Sequence, residues 1–502
     1  MKNTYKYSKI ALLVVLLFTL TTCKKNKFLD VNKNPNNPES VDVKLVLPAV
    51  EANIGYMVGN QLSIIGGIWA QYWTQDPANG SQYGTYEEYK SISPDNDNLW
   101  TVLYASAANL DYIIQNADAT EKNYAAIAYF LKAYDFQVIT DAFGRVPLTE
   151  ALKGAANKAP KYDDESVVYD SLVVWIKTGL SIIDATQNSP SEDLIYPGAP
   201  MTQWQMFANT LLLKIYIRQG GGGLTSGGAL LPGPRASVAQ AGITELNTSG
   251  AVFLTTPSTD DAMLRYADVI YQKFPLYATR VFLIVNDLLA SSTCINYMNG
   301  LGDTRVSDFY DATANGSHYV GIPQGAWLNL TGQTQDANYS APNSTEIIAP
   351  AASVRFLTTS ESYFLQAEAQ ARGWLPGSAG PTYNAGIEAS WASWLNSSVD
   401  PNETAYETSD SVNFASATTQ AQQLKLILTQ KWVSMCGNQN FEAWTEWRRT
   451  RIPSCFVTSQ SSSLSAGQFP RRIVYPSLEI NNNTNFPGVK LITDKIWWDV
   501  NP

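Results

Sequence analysis

Residues 424–453, LKLILTQKWVSMCGNQNFEAWTEWRRTRIP, constrain the fold more than any other stretch of the chain. Leu424, Ile427, Leu428 and Met435 recur at helical spacing and predict one apolar stripe. Gly437 suits the position just past a helix end, and Asn438 or Asn440 can cap the helix that follows. That second helix carries Phe441, Trp444 and Arg448 on one side, with Trp447 close by. Arg448, Arg449 and Arg451 crowd its last turn, where the backbone dipole favours cations, and Pro453 prevents continuation. A helical hairpin with two indoles at its joint is expected here.

The rest of the chain is read outward from that hairpin. Residues 45–73 are expected to be mostly helical, and Ile127, Phe130, Leu131, Tyr134 and Val138 share a face of another helix that ends at Gly144 and Pro147. Further helices are expected at 165–185, 201–219, 360–372 and 383–394. Short links between amphipathic helices of this length predict stacked hairpins. The run GGGGLTSGGALLPGPR at 220–235 reads as a flexible break that opens a loop-rich region to about residue 348, with short helices around 277–289. The helices at both ends of the chain are expected to pack together. Residues 45–502 then make one composite domain, with hairpins over 45–219 and 360–450.

The amino terminus bears on the compartment. Lys2, Lys6 and Lys9 precede an apolar run at 10–20 that has signal-peptide length and is too short to span a bilayer. Leu20-Thr21-Thr22-Cys23 follows and looks like a lipobox, so residues 1–22 are read as a signal peptide and Cys23 as the lipidated residue. Residues 23–44, rich in Asn and Pro, read as an extended tether. Net charge is −10, and taking Lys2, Lys6 and Lys9 away with the signal segment leaves −13. So acidic a chain argues against nucleic acid or an anionic lipid surface as partner.

Chemistry is poorly provided for. The chain holds 1 His, His318, which excludes zinc sites that need two, and there is no GxSxG elbow, Walker A or GxGxxG motif. The 4 Cys show no metal-type spacing, and no cofactor is expected. A glycosidase built on paired carboxylates from separate loops stays open as an alternative.

A sugar ring needs a flat aromatic for its C–H face and amides or acids for its hydroxyl rim. Two loops offer both. The first, 75–98, carries Tyr83, Tyr86 and Tyr89 beside Asp76, Asn79, Gln82 and Asp95. The second, 303–346, carries Tyr310, Tyr319, Trp327 and Tyr339 among Asn315, Gln324, Asn329, Gln333, Gln335 and Asn338. Trp327, in GAWLNLTGQTQD, has small and polar neighbours that suit a core tryptophan badly. The three loop tyrosines recur at threes, and one face of a short helix packed on the body is the other reading. Trp69, Trp73, Trp444 and Trp447 are expected in the core.

Several blocks of the chain resemble the SusD/RagB family of outer-membrane nutrient-binding lipoproteins. They are FLDVNKNPNNP at 28–38, DAFGRVPL at 141–148, WQMFANTLLLKIYIR at 204–218, GDTRVSDFY at 302–310, YVGIPQG at 319–325, SESYFLQAEAQARG at 360–373, and QKW with FEAWTEWRRTRIP near the end. The resemblance implies a mainly α fold of tetratricopeptide-like hairpins, a SusD-like superhelix whose loop-rich middle carries the ligand surface. It also implies a surface lipoprotein, not an enzyme, that hands oligosaccharide to a TonB-dependent, SusC-like transporter. RagB-like relatives bind peptides, which is the alternative within the family.

Overall fold

The computed structural model describes residues 41–77, 82–283, 287–316, 318–330, 338–394 and 403–502. Cys23, the signal segment, Asn79, Gln333 and Gln335 lie outside them. In chain order the main elements are α1 (Val43–Gly59), α2 (Gln61–Trp69), β1 (Trp73–Gln75), α3 (Gly84–Glu87), α4 (Asp97–Asn116), α5 (Lys122–Phe143), α6 (Glu165–Ile182) and α7 (Met201–Gly220). They continue with β2 (Gly221–Leu224), β3 (Leu230–Pro232), α8 (Ala236–Thr248), β4 (Ala262–Arg265), α9 (Pro275–Leu283), β5 (Leu288–Ala290) and α10 (Ser292–Leu301). The last are β6 (Ser353–Leu357), α11 (Thr359–Ala371), α12 (Ala379–Ala392), α13 (Gln420–Ser434) and α14 (Asn440–Thr450). The protein is mainly helical, and the strands pair two by two, antiparallel, as β1–β5, β2–β3 and β4–β6.

The 45–73 segment is not one helix. It breaks at Asn60 and ends at Trp69, and Gln71, at φ 60, turns the chain so that Trp73 enters β1. Two glycines explain the geometry. A Cβ on Gly67 would lie 2.4 Å from the Trp73 ring, and one on Gly66 would lie 2.3 Å from the Asn440–Phe441 backbone. Helices α2 and α14, from opposite ends of the chain, thus meet at backbone contact, with Trp69 and Trp444 4.7 Å apart beside them. All four of Trp69, Trp73, Trp444 and Trp447 are buried, as expected, although Trp73 reaches the core from β1 and not from a helix shared with Trp69.

The glycine run at 220–235 departs from its reading as a flexible break. It forms the β2–β3 hairpin against the C-terminus of α14. A Cβ on Gly223 would sit 2.0 Å from the Thr450 carbonyl oxygen, so the glycine serves close packing rather than flexibility. One hydrophobic cluster runs from Val43 to Trp498.

Helix α14 is the polar centre of this body. Arg448 and Arg449 are both fully buried, so their place in the last turn is more than a dipole effect. Arg449 bridges Glu368 and Glu446 at 2.7 Å each, and Arg372 reaches Glu368 at 2.8 Å. Arg218 holds Asp141 at 2.6 Å, Glu446 at 3.1 Å and also Glu442. Lys431 adds a 3.0 Å contact to Glu446, and Lys214 reaches Glu361 and Glu442. Buried charges persist when they are paired or well hydrogen-bonded, and this cluster is both. Arginine and lysine contacts hold the Glu446 carboxyl well below its usual range, despite burial.

Candidate functional site

The seven aromatic residues singled out by sequence do not converge on one surface. Helix α3 turns Tyr83 inward, stacked with Tyr86 at 6.5 Å, and Tyr86 meets Trp69 edge-on at 6.3 Å. Tyr83 and Tyr89 are 8% and 5% exposed, which matches the packed-helix reading of that triad. Tyr310 is 1% exposed. Its hydroxyl donates to the Tyr72 carbonyl at 3.0 Å and touches the Cys436 sulfur, so it is a core residue. Trp327 is 7% exposed, on the one-turn helix Ala326–Leu328, and its indole N–H has no partner. Tyr319 packs partly against the main core, and Tyr339 partly against Leu289, Ile322 and Ala326. Small polar neighbours in sequence suggested exposure for Trp327, but burial depends on which distant segments cover the turn.

What the fold does bring together is an open cleft of about 520 Å³. One wall is the first part of α10, with Ser292, Thr293, Asn296 and Tyr297. The turn before Trp327 supplies Pro323 and Gln324, and the extended segment after α14 supplies Cys455, Val457, Thr458 and Gln460. Tyr297 is half-buried and stands edge-on to Trp432 at 5.7 Å, which in turn lies 5.8 Å from Phe456. The lining is amide, hydroxyl, thiol and apolar, with no acidic or basic side chain. Burial pushes the Cys455 thiol up to about 12, so it stays protonated and uncharged at neutral pH.

Two buried brackets hold these segments in register. Gln71, placed by the left-handed turn that ends α2, donates to the Val457 carbonyl at 2.6 Å. Its side-chain oxygen accepts from Val457 N–H at 3.1 Å and from the Thr293 hydroxyl at 2.7 Å, joining two walls of the cleft. The second bracket is Glu87, at the end of α3 and fully buried. Its carboxylate accepts from Gln324 Nε2 at 3.0 Å to each oxygen, from Gln75 N–H at 3.1 Å, and from the Ser459 hydroxyl at 3.5 Å. The Thr74 hydroxyl also donates to it. Gly325, at φ 72, lets the turn approach Ser459, where a Cβ would come within 1.9 Å of its Oγ. The Gln460 N–H then donates to the Gln324 carbonyl at 2.9 Å.

Sequence reading reached Gln324 and the turn at Trp327 but missed the α10 residues and the 455–460 segment. The pair Asn296-Tyr297 carried an available signal, an amide beside an aromatic. The run CFVTSQ carried none, because its role follows from contacts with residues almost four hundred positions away. The cluster of His, Cys, Asp or Glu that a metal would need does not occur among the described residues.

Residues 35–476 match a family model, SusD-like, described as starch-binding and associating with the outer membrane. No curated protein matches the chain. Among solved structures, a chitin-binding protein is 23% identical, with a TM-score of 0.75 over 91% of this chain and 99% of that one. A chitin-binding SusD homolog from Flavobacterium johnsoniae is 20% identical, with a TM-score of 0.73 over 90% and 99%. A SusD homolog from Bacteroides uniformis is 21% identical, with a TM-score of 0.71 over 90% and 99%. At such identities the likeness concerns the fold.

Proposed function

The chain belongs to the SusD-like family, and from that premise we propose that it binds a neutral oligosaccharide in the cleft between α10, the Gln324 turn and residues 455–460. The observation that carries the reading is the lining: Asn296, Gln460, Ser292, Thr293 and Thr458 with Tyr297, on walls that include the Gln324 turn and without a charged group. Amides and hydroxyls exchange hydrogen bonds with a sugar's rim, and a phenol ring covers its apolar face. A uronate or a strongly charged peptide calls for charged partners, which the lining of this cleft does not provide. Trp327 is buried on the short helix that follows the Gln324 turn, and Tyr86, Tyr319 and Tyr339, each partly exposed, lie outside the cleft lining. The Tyr89 hydroxyl accepts from the Ser459 N–H at 3.4 Å and so braces the 455–460 segment, whereas Tyr83 and Tyr310 are core residues.

In this reading Cys23 carries the lipid anchor, and the body sits on the outer membrane beside a TonB-dependent, SusC-like transporter that takes the sugar. Among the described residues no helix is long and apolar enough to cross a membrane. Two structural relatives are called chitin-binding, which makes N-acetylglucosamine oligomers the first ligands to try. Titration calorimetry with chito-, malto- and xylo-oligosaccharides, uronic-acid oligomers and peptides tests the proposal. Saturable binding of one neutral series is expected. Binding of peptides alone would move the chain to the peptide-binding branch, and release of reducing ends would make it a hydrolase.

A further inference from the structure

Among the described residues Glu87 has no salt-bridge partner to explain it. It lies at the end of a one-turn helix, fully buried, with its two oxygens directed at the underside of the cleft. From β1 it faces Thr74 and Gln75, from the turn Gln324, and from the 457–460 segment Ser459. The Tyr89 phenol is close on its own side, and Glu88 next to it pairs with Lys90 at 2.8 Å. None of the groups that touch the carboxylate titrates near neutrality. All of them are donors, and the backbone N–H and the amide NH₂ cannot become acceptors.

Resting on the glycan reading, we propose that Glu87 is a positioning residue for the cleft: its ionised carboxylate draws the Gln324 turn and Ser459 together and so sets ligand affinity. Protonation puts an O–H where donors already point. Gln324 then loses an acceptor, and one cleft wall loosens from the other. Burial pushes the Glu87 carboxyl up to about 7, against the pull of its hydrogen bonds, so this exchange falls in the physiological range. If only the ionised state binds well, apparent affinity scales with the ionised fraction and rises about tenfold from pH 6 to pH 8. Stability runs the other way. A carboxyl raised above its unfolded value of 4.5 stabilises the fold at low pH, and that contribution is lost as pH rises through about 7.

The test is calorimetric titration of chito-, malto- and xylo-oligosaccharides into wild type and Glu87→Gln across pH 6–8, in buffers of different ionisation enthalpy. Wild type is expected to release a proton on binding below pH 7 and to gain affinity with pH. Glu87→Gln, permanently neutral, is expected to bind weakly, without pH dependence or proton release. A ligand-free readout accompanies it: the indole N–H resonances of Trp73 and Trp327, followed by NMR, titrate near pH 7 in wild type alone. Indoles that do not titrate, or a wild-type pH profile shared by Glu87→Gln, overturn the role of Glu87. Titrating indoles with no sugar bound at any pH overturn the glycan reading instead.

Discussion

Replacing Arg449 with methionine tests the account of how the chain holds together. The guanidinium is fully buried and makes five hydrogen bonds: two to Glu368, two to Glu446 and one to the Gly221 carbonyl at 2.6 Å. Methionine keeps much of the volume and removes every donor. Glu368 keeps Arg372, and Glu446 keeps Arg218 and Lys431, so both carboxylates stay partly compensated. Removing one partner of a buried ion pair costs about 3–5 kcal/mol, and a domain has only about 5–15 kcal/mol in hand. Arg449→Met is therefore expected to lower unfolding stability by about 3–5 kcal/mol at pH 7, read from urea titrations by tryptophan fluorescence. The pH dependence supplies an internal control. Glu368 and Glu446 both titrate below their usual 4.5, so their stabilisation is present above that pH and is lost as pH falls through the lower folded values. The difference between wild type and Arg449→Met should shrink in acid for that reason. A loss under about 1 kcal/mol at pH 7, or a difference that does not change with pH, would refute this reasoning.

Other substitutions separate core from site. Gly66→Ala puts a Cβ against the Asn440–Phe441 backbone and is expected to cost about 1–3 kcal/mol, visible as a lower melting temperature. Tyr310→Phe loses the bond to the Tyr72 carbonyl and should cost about 1 kcal/mol while leaving sugar affinity unchanged by calorimetry. Trp327→Ala should lower both the melting temperature and the affinity, because the ring is buried beside the cleft wall rather than displayed in it.

How much of this was legible in the chain depends on the range of the forces involved. The hairpin at 424–453 could be read because apolar spacing, Gly437 and the terminal arginines act locally. In the structure Gly437 takes φ 77 just past α13, and α13 and α14 flank it. The β2–β3 hairpin was hidden because a glycine run has no alternation to show; only the Thr450 backbone opposite Gly223 reveals why side chains are missing there. The aromatic loops were recognised as a region, yet the orientation of each ring was not. Tyr89 adopts φ 57, and Tyr83 stacks inward, choices imposed by the buried Glu87 and Gln75 that grip the loop. Four of the ten residues lining the cleft come from the 455–460 segment, whose Ser, Thr and Gln have no periodicity and gain meaning only against Gln71 and Glu87.

Affinity for neutral oligosaccharides, compared between wild type and Tyr297→Ala, bears most directly on the proposal that the α10 cleft holds the ligand. The expected result is saturable binding by wild type and a loss of about tenfold or more in Tyr297→Ala, with an unchanged far-ultraviolet spectrum. Equal affinity in the two proteins would contradict it.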